Sequence, residues 1–374
     1  MKVLSVFGTR PEAIKMAPIV LALKERGDVE SIVAVTGQHR EMLDQVLDIF
    51  GIVPDYDLDI FTPGQSLTDI AVRSLRGLED IFKTTKPDLL LVQGDTSTVF
   101  AAALSAFYHG VKIGHVEAGL RSHNLYSPYP EEANRKLTGV LANYHFAPTE
   151  SNRQNLLREG YDDKTIYITG NTVIDALAYT EREDFVFDEA ALNAIDFKKK
   201  KTILLTCHRR ENLGAPMKRI FSAVRRIADE YDDVEVIFPV HLNPKVREIA
   251  EAELGGAKNI HRIEPMDYLP FSNIMARSYL VVTDSGGIQE EAPHFGIPVL
   301  VVREETEREE GIVAGTAKLV GTEEAAVYEN IRLLLEDKNA YDAMAKALNP
   351  YGDGKAAERI VDIILENQKE GGGR

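Results

Sequence analysis

The chain has 374 residues, of which 44% are apolar and 27% are charged, and this length and composition predict a soluble globular protein of two domains. Its formal charge of −16 argues against nucleic acid or an anionic membrane as a partner, so an anionic substrate would need a locally basic pocket. The single cysteine, Cys207, excludes an internal disulfide, and without a leader peptide or a membrane-length apolar run we expect a cytoplasmic location.

Short apolar runs alternate with amphipathic segments of helical length from end to end. The strands predicted for the first half are 3–7, 32–35, 89–92 and 113–116, and those for the second half are 202–207, 234–238, 279–283 and 299–302. Segments such as 11–26 and 67–83 carry helical periodicity between them. This alternation predicts an α/β protein with a doubly wound parallel sheet in each half.

A non-periodic region, 181–201, separates the two series and ends in four lysines. A solvated lead-in at a domain junction explains it better than an anion-binding patch. We therefore predict an N-terminal domain over 1–175 and a C-terminal domain over 176–353. The final segment, 354–370, has apolar residues at helical spacing and is expected to pack as a helix.

Polar residues that follow parallel strands are the first candidates for ligand binding, because ligands lie beyond the carboxyl ends of such strands. After the first strand, Gly8 opens a turn that brings Arg10 and Lys15 to a helix N-terminus, and anion binding by Arg10 is favoured over a surface ion pair. No Gly-x-Gly-x-x-Gly fingerprint follows a strand, which argues against a dinucleotide cofactor. No His/Cys spacing supports a metal site.

Three carboxylates follow in the same half. Asp95 comes after a predicted strand, where capping of the next helix is the simpler explanation. Glu117 ends another strand on the same face as His115, and Glu131 lies four residues before Arg135, the spacing of a helical ion pair. If the three carboxylates meet at one sheet edge, they raise one another's pKa and can divide acid and base roles.

The second half has a cationic cluster after its first strand. His208, Arg209 and Arg210 stand together in an otherwise acidic protein, and we interpret them as a phosphate site rather than a structural cluster. His241 ends the next strand in the same way. Cys207 is expected in the core, facing away from His208, which argues against a Cys–His catalytic pair.

A glycine-rich turn, Ser285-Gly286-Gly287, joins a later strand to a short helix. Its glycines allow close approach of a ligand, and the free N–H groups of the helix favour an anion. A turn without a ligand is the alternative. One of the next two glutamates, Glu290 or Glu291, is expected to face the ligand, where a carboxylate suits a diol such as ribose.

Six segments together resemble the non-hydrolysing UDP-N-acetylglucosamine 2-epimerases over nearly the whole chain. They are Gly8-Thr9-Arg10-Pro11-Glu12, Gly94-Asp95-Thr96, His115-Val116-Glu117-Ala118-Gly119, Pro130-Glu131-Glu132, His208-Arg209-Arg210-Glu211 and Asp284-Ser285-Gly286-Gly287. The resemblance implies two Rossmann-like domains facing a cleft, as in GT-B glycosyltransferases, with the last helix crossing back to the N-terminal domain. It also implies a homodimer and no cofactor.

The resemblance assigns a role to each matching residue. The UDP-binding residues would be Arg10, Lys15, Phe271, Ser285, Gly286, Gly287 and Glu291, with Phe271 beside the uracil and Glu291 at the ribose. The catalytic residues would be Asp95, Glu117, Glu131 and His208, and His208 would stabilise UDP as it leaves.

The implied reaction is inversion at C2 of the sugar, which gives UDP-N-acetylmannosamine for cell-surface polysaccharide synthesis. Elimination of UDP would give a 2-acetamidoglucal, and readdition of UDP with a proton on the opposite face would give the epimer. Acid/base groups on the two faces of the sugar ring, together with groups that bind the UDP anion tightly, would suffice for this reaction. Which carboxylate removes the proton and which returns it stays open.

Bacterial members of this family bind a second UDP-N-acetylglucosamine as an allosteric activator, and segment 36–39 matches their pattern. The residues that the resemblance assigns to this second ligand are Gln38, His39, Gln65, Arg209, Arg210 and His241. The sequence departs from many relatives at Tyr129, where they have Trp, and at Glu309, where they often have Pro. The missing proline is expected to make the charged run 303–310 less ordered. This run is interpreted either as a solvated loop or as a lid.

Four alternatives compete with this interpretation. A hydrolysing 2-epimerase would release N-acetylmannosamine and UDP, and an epimerase of a modified UDP-sugar would share the same carboxylates. A GT-B glycosyltransferase would not need those carboxylates. A catalytically silent nucleotide-sugar sensor would not need them either, and their presence speaks against it.

Overall fold

The computed structural model describes residues 1–38 and 40–371, which divide into two compact units. The first unit comprises Met1–Tyr179 and Tyr351–Arg374, and the second comprises Thr180–Pro350. The boundary predicted at residue 175 lies within a helix, Thr172–Thr180. The observed boundary lies between Tyr179 and Thr180, at the end of that helix.

Each unit is built on one parallel sheet. The strands of the first unit are β1 (Lys2–Phe7), β2 (Glu30–Val35), β3 (Tyr56–Asp57), β4 (Leu89–Gln93), β5 (Lys112–Val116), β6 (Tyr144–Ala147) and β7 (Ile166–Ile168). Those of the second unit are β8 (Lys201–Thr206), β9 (Val234–Pro239), β10 (Ile260–Ile263), β11 (Leu280–Thr283), β12 (Val299–Val301) and β13 (Ala317–Leu319). Every pairing among these strands is parallel.

Helices connect the strands in both units. The first unit contains α1 (Arg10–Lys24), α2 (Arg40–Phe50), α3 (Leu67–Thr85), α4 (Ser97–Tyr108), α5 (Glu131–Leu141), α6 (Glu150–Arg158) and α7 (Thr172–Thr180). The second contains α8 (Ala190–Asn193), α9 (Ala215–Glu230), α10 (Pro244–Leu254), α11 (Tyr268–Ala276), α12 (Gly286–Glu291), α13 (Glu309–Ala314), α14 (Glu324–Glu336) and α15 (Lys338–Ala345), and the last helix of the chain is α16 (Ala356–Gly371).

The two sheets share one topology. Their orders are β3-β2-β1-β4-β5-β6-β7 and β10-β9-β8-β11-β12-β13, so the winding direction reverses between β1 and β4 and again between β8 and β11. Ligands of doubly wound sheets bind beyond the carboxyl ends of the strands at such a reversal. The turns after β1, β4, β8 and β11 are therefore the expected ligand-binding sites.

The strands are apolar along their length because helices cover both faces of each sheet. In the first unit, Leu4, Val6, Leu90 and Val92 pack with α3 and α4 in one buried cluster. In the second, Ile203, Leu205 and Cys207 pack with α9 and α14 in another. Cys207 therefore lies in the core, as predicted.

The C-terminal helix α16 belongs to the first unit and packs against α1. Ile360, Val361 and Ile364 of α16 are buried. The Asp175 carboxylate of α7 accepts hydrogen bonds from the backbone N–H groups of Ala356 and Ala357, which satisfies two donors at the start of α16. The predicted fold class, α/β with two Rossmann-like domains and a C-terminal helix returning to the first, is confirmed.

Within the part of the chain that the structure describes, no helix combines the length and the apolar character needed to cross a bilayer.

Candidate active site

The turn after β1 is held by a buried glutamate. Glu12 Oε2 accepts from the backbone N–H of Gly8 at 3.2 Å and of Thr9 at 2.8 Å, and Glu12 Oε1 accepts from the Thr96 hydroxyl at 2.9 Å. Thr9 and Glu12 thus form a capping box at the start of α1. Burial raises the pKa of Glu12 to about 7 despite these donors. The carboxyl group joins the turns after β1 and β4, the two strands at the reversal.

Gly8 has a packing role in the same turn. A Cβ added there would lie 2.0 Å from Thr36 Oγ1, so a side chain does not fit. The Thr36 hydroxyl lies 3.1 Å from that of Thr98, which donates to Gln38 Oε1 at 3.0 Å. A close approach between neighbouring turns, rather than a positive φ, therefore requires this glycine.

Lys15 reaches the carboxylate of Glu117. Its Nζ forms an ion pair with Glu117 Oε2, and the side-chain amide of Gln93, at the end of β4, donates to the same oxygen. Both members of the ion pair are largely shielded from solvent. Lys15, which the family resemblance assigns to UDP binding, therefore lies against a carboxylate that follows another strand.

Glu117 does not share a strand face with His115, and that prediction was wrong. Strand β5 ends at Val116, and Glu117 has a φ of +64°, a left-handed conformation that takes it out of the strand alternation. His115 is buried, and its Nε2 lies 2.7 Å from the Gly94 carbonyl oxygen. Burial lowers the pKa of His115 to about 4, so its ring is neutral and supports the Gly94 turn by donating to it.

Asp95 pairs with Arg135 and does not cap the next helix. Arg135 Nη2 lies 2.7 Å from Asp95 Oδ2, and the Asn134 side chain donates to the Asp95 carbonyl at 2.8 Å. The cap of α4 is Thr96, whose hydroxyl accepts from Val99 N. Burial raises the pKa of Asp95; Arg135 opposes this effect and Glu117 adds to it.

Glu131 does not form the predicted helical ion pair with Arg135. Arg135 instead binds Glu132 at 3.0 Å and Asp95, which arrives from another loop. One carboxylate oxygen of Glu131, Oε2, is buried without a hydrogen-bond partner among the described residues. A buried acceptor of this kind is costly unless a ligand or water supplies a donor.

A cavity of about 400 Å³ lies over these turns in the first unit, and its lining includes Arg10, Gln38, Asp95 and Glu131. Glu117 is electrostatically coupled to Asp95. The structure therefore brings the three predicted carboxylates to the carboxyl edge of β4 and β5. Gln65 accepts from Thr62 N and does not line this cavity, and His39 lies outside the described residues.

In the second unit, the turn after β8 is organised by Asp284 at the end of β11. Asp284 Oδ2 accepts from the backbone N–H groups of His208 and Arg209, both at 2.9 Å, and from Asn212 Nδ2 at 3.0 Å. His208 stacks on His241 with ring centroids 5.6 Å apart. Burial lowers the pKa of His208, with smaller contributions from His241 and Arg209 in the same direction, and Asp284 opposes them.

The arginines of the predicted phosphate cluster differ in their surroundings. Arg209 lies 3.3 Å from Glu307, whereas Arg210 is exposed in a short 3-10 turn. Glu307 also binds Arg303 at 2.7 Å. The charged run 303–310 is therefore paired internally and with the turn after β8, and is not merely a solvated loop.

The Ser-Gly-Gly turn begins α12. Ser285 is its N-cap, and a Cβ on Gly286 would lie 3.4 Å from Glu307 Oε1. Neither Gly286 nor Gly287 has a positive φ. A Cβ on Gly286 or Gly287 would make only van der Waals contact with the carboxylate of Glu307 or Glu291, so neither packing within the described residues nor turn conformation requires these glycines.

The two glutamates of α12 have different environments. Glu290 is buried in an ion pair with Arg308 at 2.5 Å. Glu291 Oε1 lies within 3.5 Å of a Cβ built on Gly287, and the Glu291 charge helps burial to raise the pKa of Tyr268. Glu291 therefore lies beside the glycine turn, whereas Glu290 is committed to Arg308. Phe271 is half-buried on α11, one helical turn after Tyr268.

Sequence reasoning assigned no role of their own to four residues that hold these turns. Gln93, Arg135 and Asp284 bind predicted site residues directly. Glu12 holds the turn that carries Arg10. Glu12 and Asp284 stand in motifs of the resemblance and Arg135 was expected to form a helical ion pair, but nothing in the sequence indicated the contacts observed. Among the described residues, no three His, Cys, Asp or Glu side chains are grouped closely enough to hold a metal ion.

Comparison with known proteins places the chain in a family. A family model described as UDP-N-acetylglucosamine 2-epimerase matches residues 21–365. The UDP-N-acetylglucosamine 2-epimerases of Escherichia coli K12 and Bacillus subtilis are 55% and 53% identical to it; the matches cover 98% of this chain and 99% and 95% of those proteins.

A solved structure agrees over the same length. The UDP-GlcNAc 2-epimerase of Neisseria meningitidis, in a crystal structure bound to UDP-GlcNAc, is 48% identical with a TM-score of 0.83. The match covers 98% of this chain and 100% of that one. The chain therefore belongs to the UDP-N-acetylglucosamine 2-epimerase family.

Proposed function

We propose that the protein is a non-hydrolysing UDP-N-acetylglucosamine 2-epimerase, an isomerase that interconverts UDP-N-acetylglucosamine and UDP-N-acetylmannosamine. Family membership supports UDP-N-acetylglucosamine as the substrate. The relatives at 53–55% identity are named UDP-N-acetylglucosamine 2-epimerase, and the Neisseria relative was solved with UDP-GlcNAc bound. The observation that carries the proposal is the grouping of Asp95, Glu117 and Glu131 at one sheet edge, with Lys15 and Arg135 beside them.

The chemistry must overcome the low acidity of the C2 hydrogen, which has no adjacent carbonyl. Breaking the C1–O bond to UDP develops positive charge at C1 and acidifies C2–H. A base then removes that proton, the electron pair forms the C1–C2 double bond, and UDP departs with the C1–O electrons. Return of UDP to C1 and of a proton to the other face of C2 gives the epimer. No electron acceptor is needed, and we propose no cofactor.

The roles of the carboxylates follow from their surroundings. Glu117 accepts from Lys15 and Gln93, an arrangement that suits the ionised, basic form of a carboxylate. Asp95 has a raised pKa, which suits the return of a proton. Glu131 has a buried acceptor to offer to the sugar. We assign Glu117 as the base and Asp95 as the acid in one direction, with the roles exchanged in the other.

The remaining roles concern UDP. Arg10, Lys15, Ser285, Gly286, Gly287 and His208 would stabilise the diphosphate, Phe271 the uracil and Glu291 the ribose. Glu290 is unsuited to the ribose because Arg308 occupies it. A second UDP-GlcNAc, bound by Gln38, His39, Gln65, Arg209, Arg210 and His241, would activate the enzyme; the contact between Arg209 and Glu307 would open for it.

The proposed product also suggests a cellular role for the enzyme. We propose that UDP-N-acetylmannosamine supplies activated sugar for cell-surface polysaccharides and that the enzyme works in the cytoplasm, beside its nucleotide-sugar pool. We also propose a homodimer, with no nucleic-acid or membrane partner.

The test is to incubate the protein with UDP-N-acetylglucosamine in D2O and to follow the sugar by NMR. The expected result is deuterium at C2 in both epimers, with UDP still attached to the product. Free N-acetylmannosamine with UDP would show a hydrolysing enzyme instead. Absence of exchange, with UDP-GlcNAc still bound, would show a nucleotide-sugar sensor.

A further inference from the structure

Asp284 is a fully buried carboxylate whose two oxygens have different surroundings. Oδ2 accepts three hydrogen bonds, from the backbone N–H groups of His208 and Arg209 and from the Asn212 side chain. Asn212 is itself buried and also donates to the Val302 carbonyl, which fixes its amide orientation. The Oδ2 side of Asp284 therefore holds the turn after β8 in one conformation.

The other oxygen, Oδ1, lies near the imidazole ring of His208. Oδ1 has no hydrogen-bond partner among the described residues, and His208 Nδ1 lies 3.4 Å from it. This separation is slightly longer than a full hydrogen bond, as is common for catalytic pairs before a ligand binds. The Cys207 thiol also lies beside Asp284, and burial, the charge of this carboxylate and a hydrogen bond to it raise the pKa of the thiol well above the usual value. The thiol therefore stays neutral and can only donate to Asp284, which leaves the carboxylate as the acceptor for His208.

This geometry selects one tautomer of His208. A carboxylate only accepts hydrogen bonds, and a neutral imidazole has a single N–H. The proton therefore belongs on Nδ1, facing Asp284, and Nε2 carries a lone pair. The imidazole side chain of His208 is 42% exposed, so Nε2 is accessible to a ligand.

Burial is the main reason why the His208 ring is neutral in the absence of a ligand, because it lowers the pKa of the imidazole. Asp284 favours the imidazolium, whereas His241, stacked on the ring, and Arg209, the next residue, disfavour it. A phosphate group at Nε2 would add negative charge on the other side of the ring. The imidazolium would then lie between two acceptors, Asp284 at Nδ1 and the phosphate at Nε2.

We propose that Asp284 is a positioning residue that holds His208 as the Nδ1–H tautomer, so that Nε2 takes up one proton from solvent when the diphosphate of a UDP-sugar binds. The proton stays on Nε2 and donates to a phosphate oxygen. The inference rests on the proposed function in one respect, that a diphosphate is the ligand of His208.

The first measurement reads the tautomer directly in the ligand-free, full-length protein. With 15N-labelled histidine, a long-range 1H–15N NMR spectrum at pH 8 should show His208 as Nδ1–H. In Asp284→Asn, the amide oxygen must face the N–H groups of His208 and Arg209, so its NH2 group faces Nδ1. That donor should convert His208 to the Nε2–H tautomer. An Nε2–H ring in the unmodified protein would overturn the proposal.

The second measurement counts protons. Calorimetric titration with UDP at pH 8, in two buffers of different ionisation enthalpy, should show uptake of about one proton per UDP bound by the unmodified protein. Asp284→Asn should lose this uptake. The same uptake in both proteins would overturn the proposal.

A matched control separates positioning from loss of structure. Asp175 is also a buried carboxylate that accepts two backbone N–H groups, but it lies at the start of α16 in the first unit. Asp175→Asn should keep both the His208 tautomer and the proton uptake. If the unmodified protein fails to bind UDP, the proposed function fails, and the tautomer measurement still decides the role of Asp284.

Discussion

At the scale of single residues, Glu12 is a buried carboxyl group that accepts hydrogen bonds from the N–H groups of Gly8 and Thr9 and from the Thr96 hydroxyl. Burial outweighs the donors and raises its pKa from 4.5 to about 7. Since the folded state binds this proton more tightly than the unfolded chain, the stabilisation is complete below about pH 4.5 and is lost as the pH rises through 7. At about 1.4 kcal/mol per pKa unit, it amounts to about 3 kcal/mol.

Glu12→Gln should therefore flatten the pH dependence of stability. Between pH 5 and 8, the unmodified protein should lose up to about 3 kcal/mol relative to the variant. Urea unfolding followed by circular dichroism at several pH values measures the difference. Glu25→Gln, at the exposed C-cap of the same helix, should behave as the unmodified protein does. Parallel stability curves for the Glu12 variant and the unmodified protein would contradict the prediction.

Gln93 offers a test of the base that we assign. Gln93→Glu replaces a donor to Glu117 with a second carboxylate, and like charge raises the pKa of its neighbour. If Glu117 acts as the ionised base, the acid limb of the kcat/KM profile should move to higher pH by about one unit or more. Steady-state rates from pH 5 to 9 measure it.

Two further variants bracket this result. Gln93→Leu removes the donor without adding charge and should shift the limb less. Gln368→Glu, on the exposed face of α16, should leave the profile unchanged. An unshifted acid limb in Gln93→Glu would remove Glu117 from the role of base.

The sequence predicted which residue types stand at the strand ends, but not how they pair. Asp95, Glu117 and Glu131 could be singled out because each follows a strand or begins a helix after one. The contact of Lys15 with Glu117 spans 102 positions along the chain, and local spacing contains no trace of it. The four-residue spacing of Glu131 and Arg135 predicted an ion pair that does not form, because Asp95 from another loop binds Arg135 instead.

At the scale of helices and strands, the predicted elements differ from the observed ones mainly at their ends. All eight predicted strands are present, because buried parallel strands are continuous apolar runs that stand out in a sequence. Among the strands that were missed, β3, β7 and β13 have only two or three residues, and β6 and β10 have four residues that include histidine or arginine. Runs that short and mixed carry too little periodicity to be distinguished from loops.

Helix α16 gives a prediction at this scale. Ile360 is fully buried where α16 packs in the first unit, so Ile360→Ala should leave a cavity and destabilise that unit by about 2–5 kcal/mol. Gln368→Ala, on the exposed side of the same helix, should change stability by less than about 0.5 kcal/mol. Thermal unfolding of both variants makes the comparison, and equal midpoints would show that α16 does not stabilise the unit.

At the scale of the whole molecule, the two units stabilise their candidate ligand-binding turns in the same way. In each, the first strand and a later one flank the reversal of the sheet, and a buried acidic residue ties the turns that follow them. Glu12 joins the turns after β1 and β4, and Asp284 joins those after β8 and β11. A chain with a net charge of −16 thus uses buried carboxylates to fix the turns that carry its candidate cationic groups.

The surface of the first unit supports the proposed homodimer. Phe107 and Tyr108 at the end of α4 are 58% and 71% exposed, and Val140 on the adjacent helix α5 is 73% exposed. Contiguous exposed apolar patches often mark protein–protein contacts, and we propose that these side chains of the adjacent helices α4 and α5 form one such patch, which a twofold axis would let cover its own copy.

Placing a charge in this patch should therefore dissociate the dimer. Tyr108→Asp with Val140→Asp would bury two carboxylates in each copy of an apolar contact, which costs far more than the contact can offset. Sedimentation velocity should give a dimer for the unmodified protein and a monomer for the double variant. Val186→Asp changes an equally exposed apolar residue of the second unit and should remain dimeric. If the unmodified protein sediments as a monomer at every concentration, the exposed apolar residues of α4 and α5 must have another explanation than self-association.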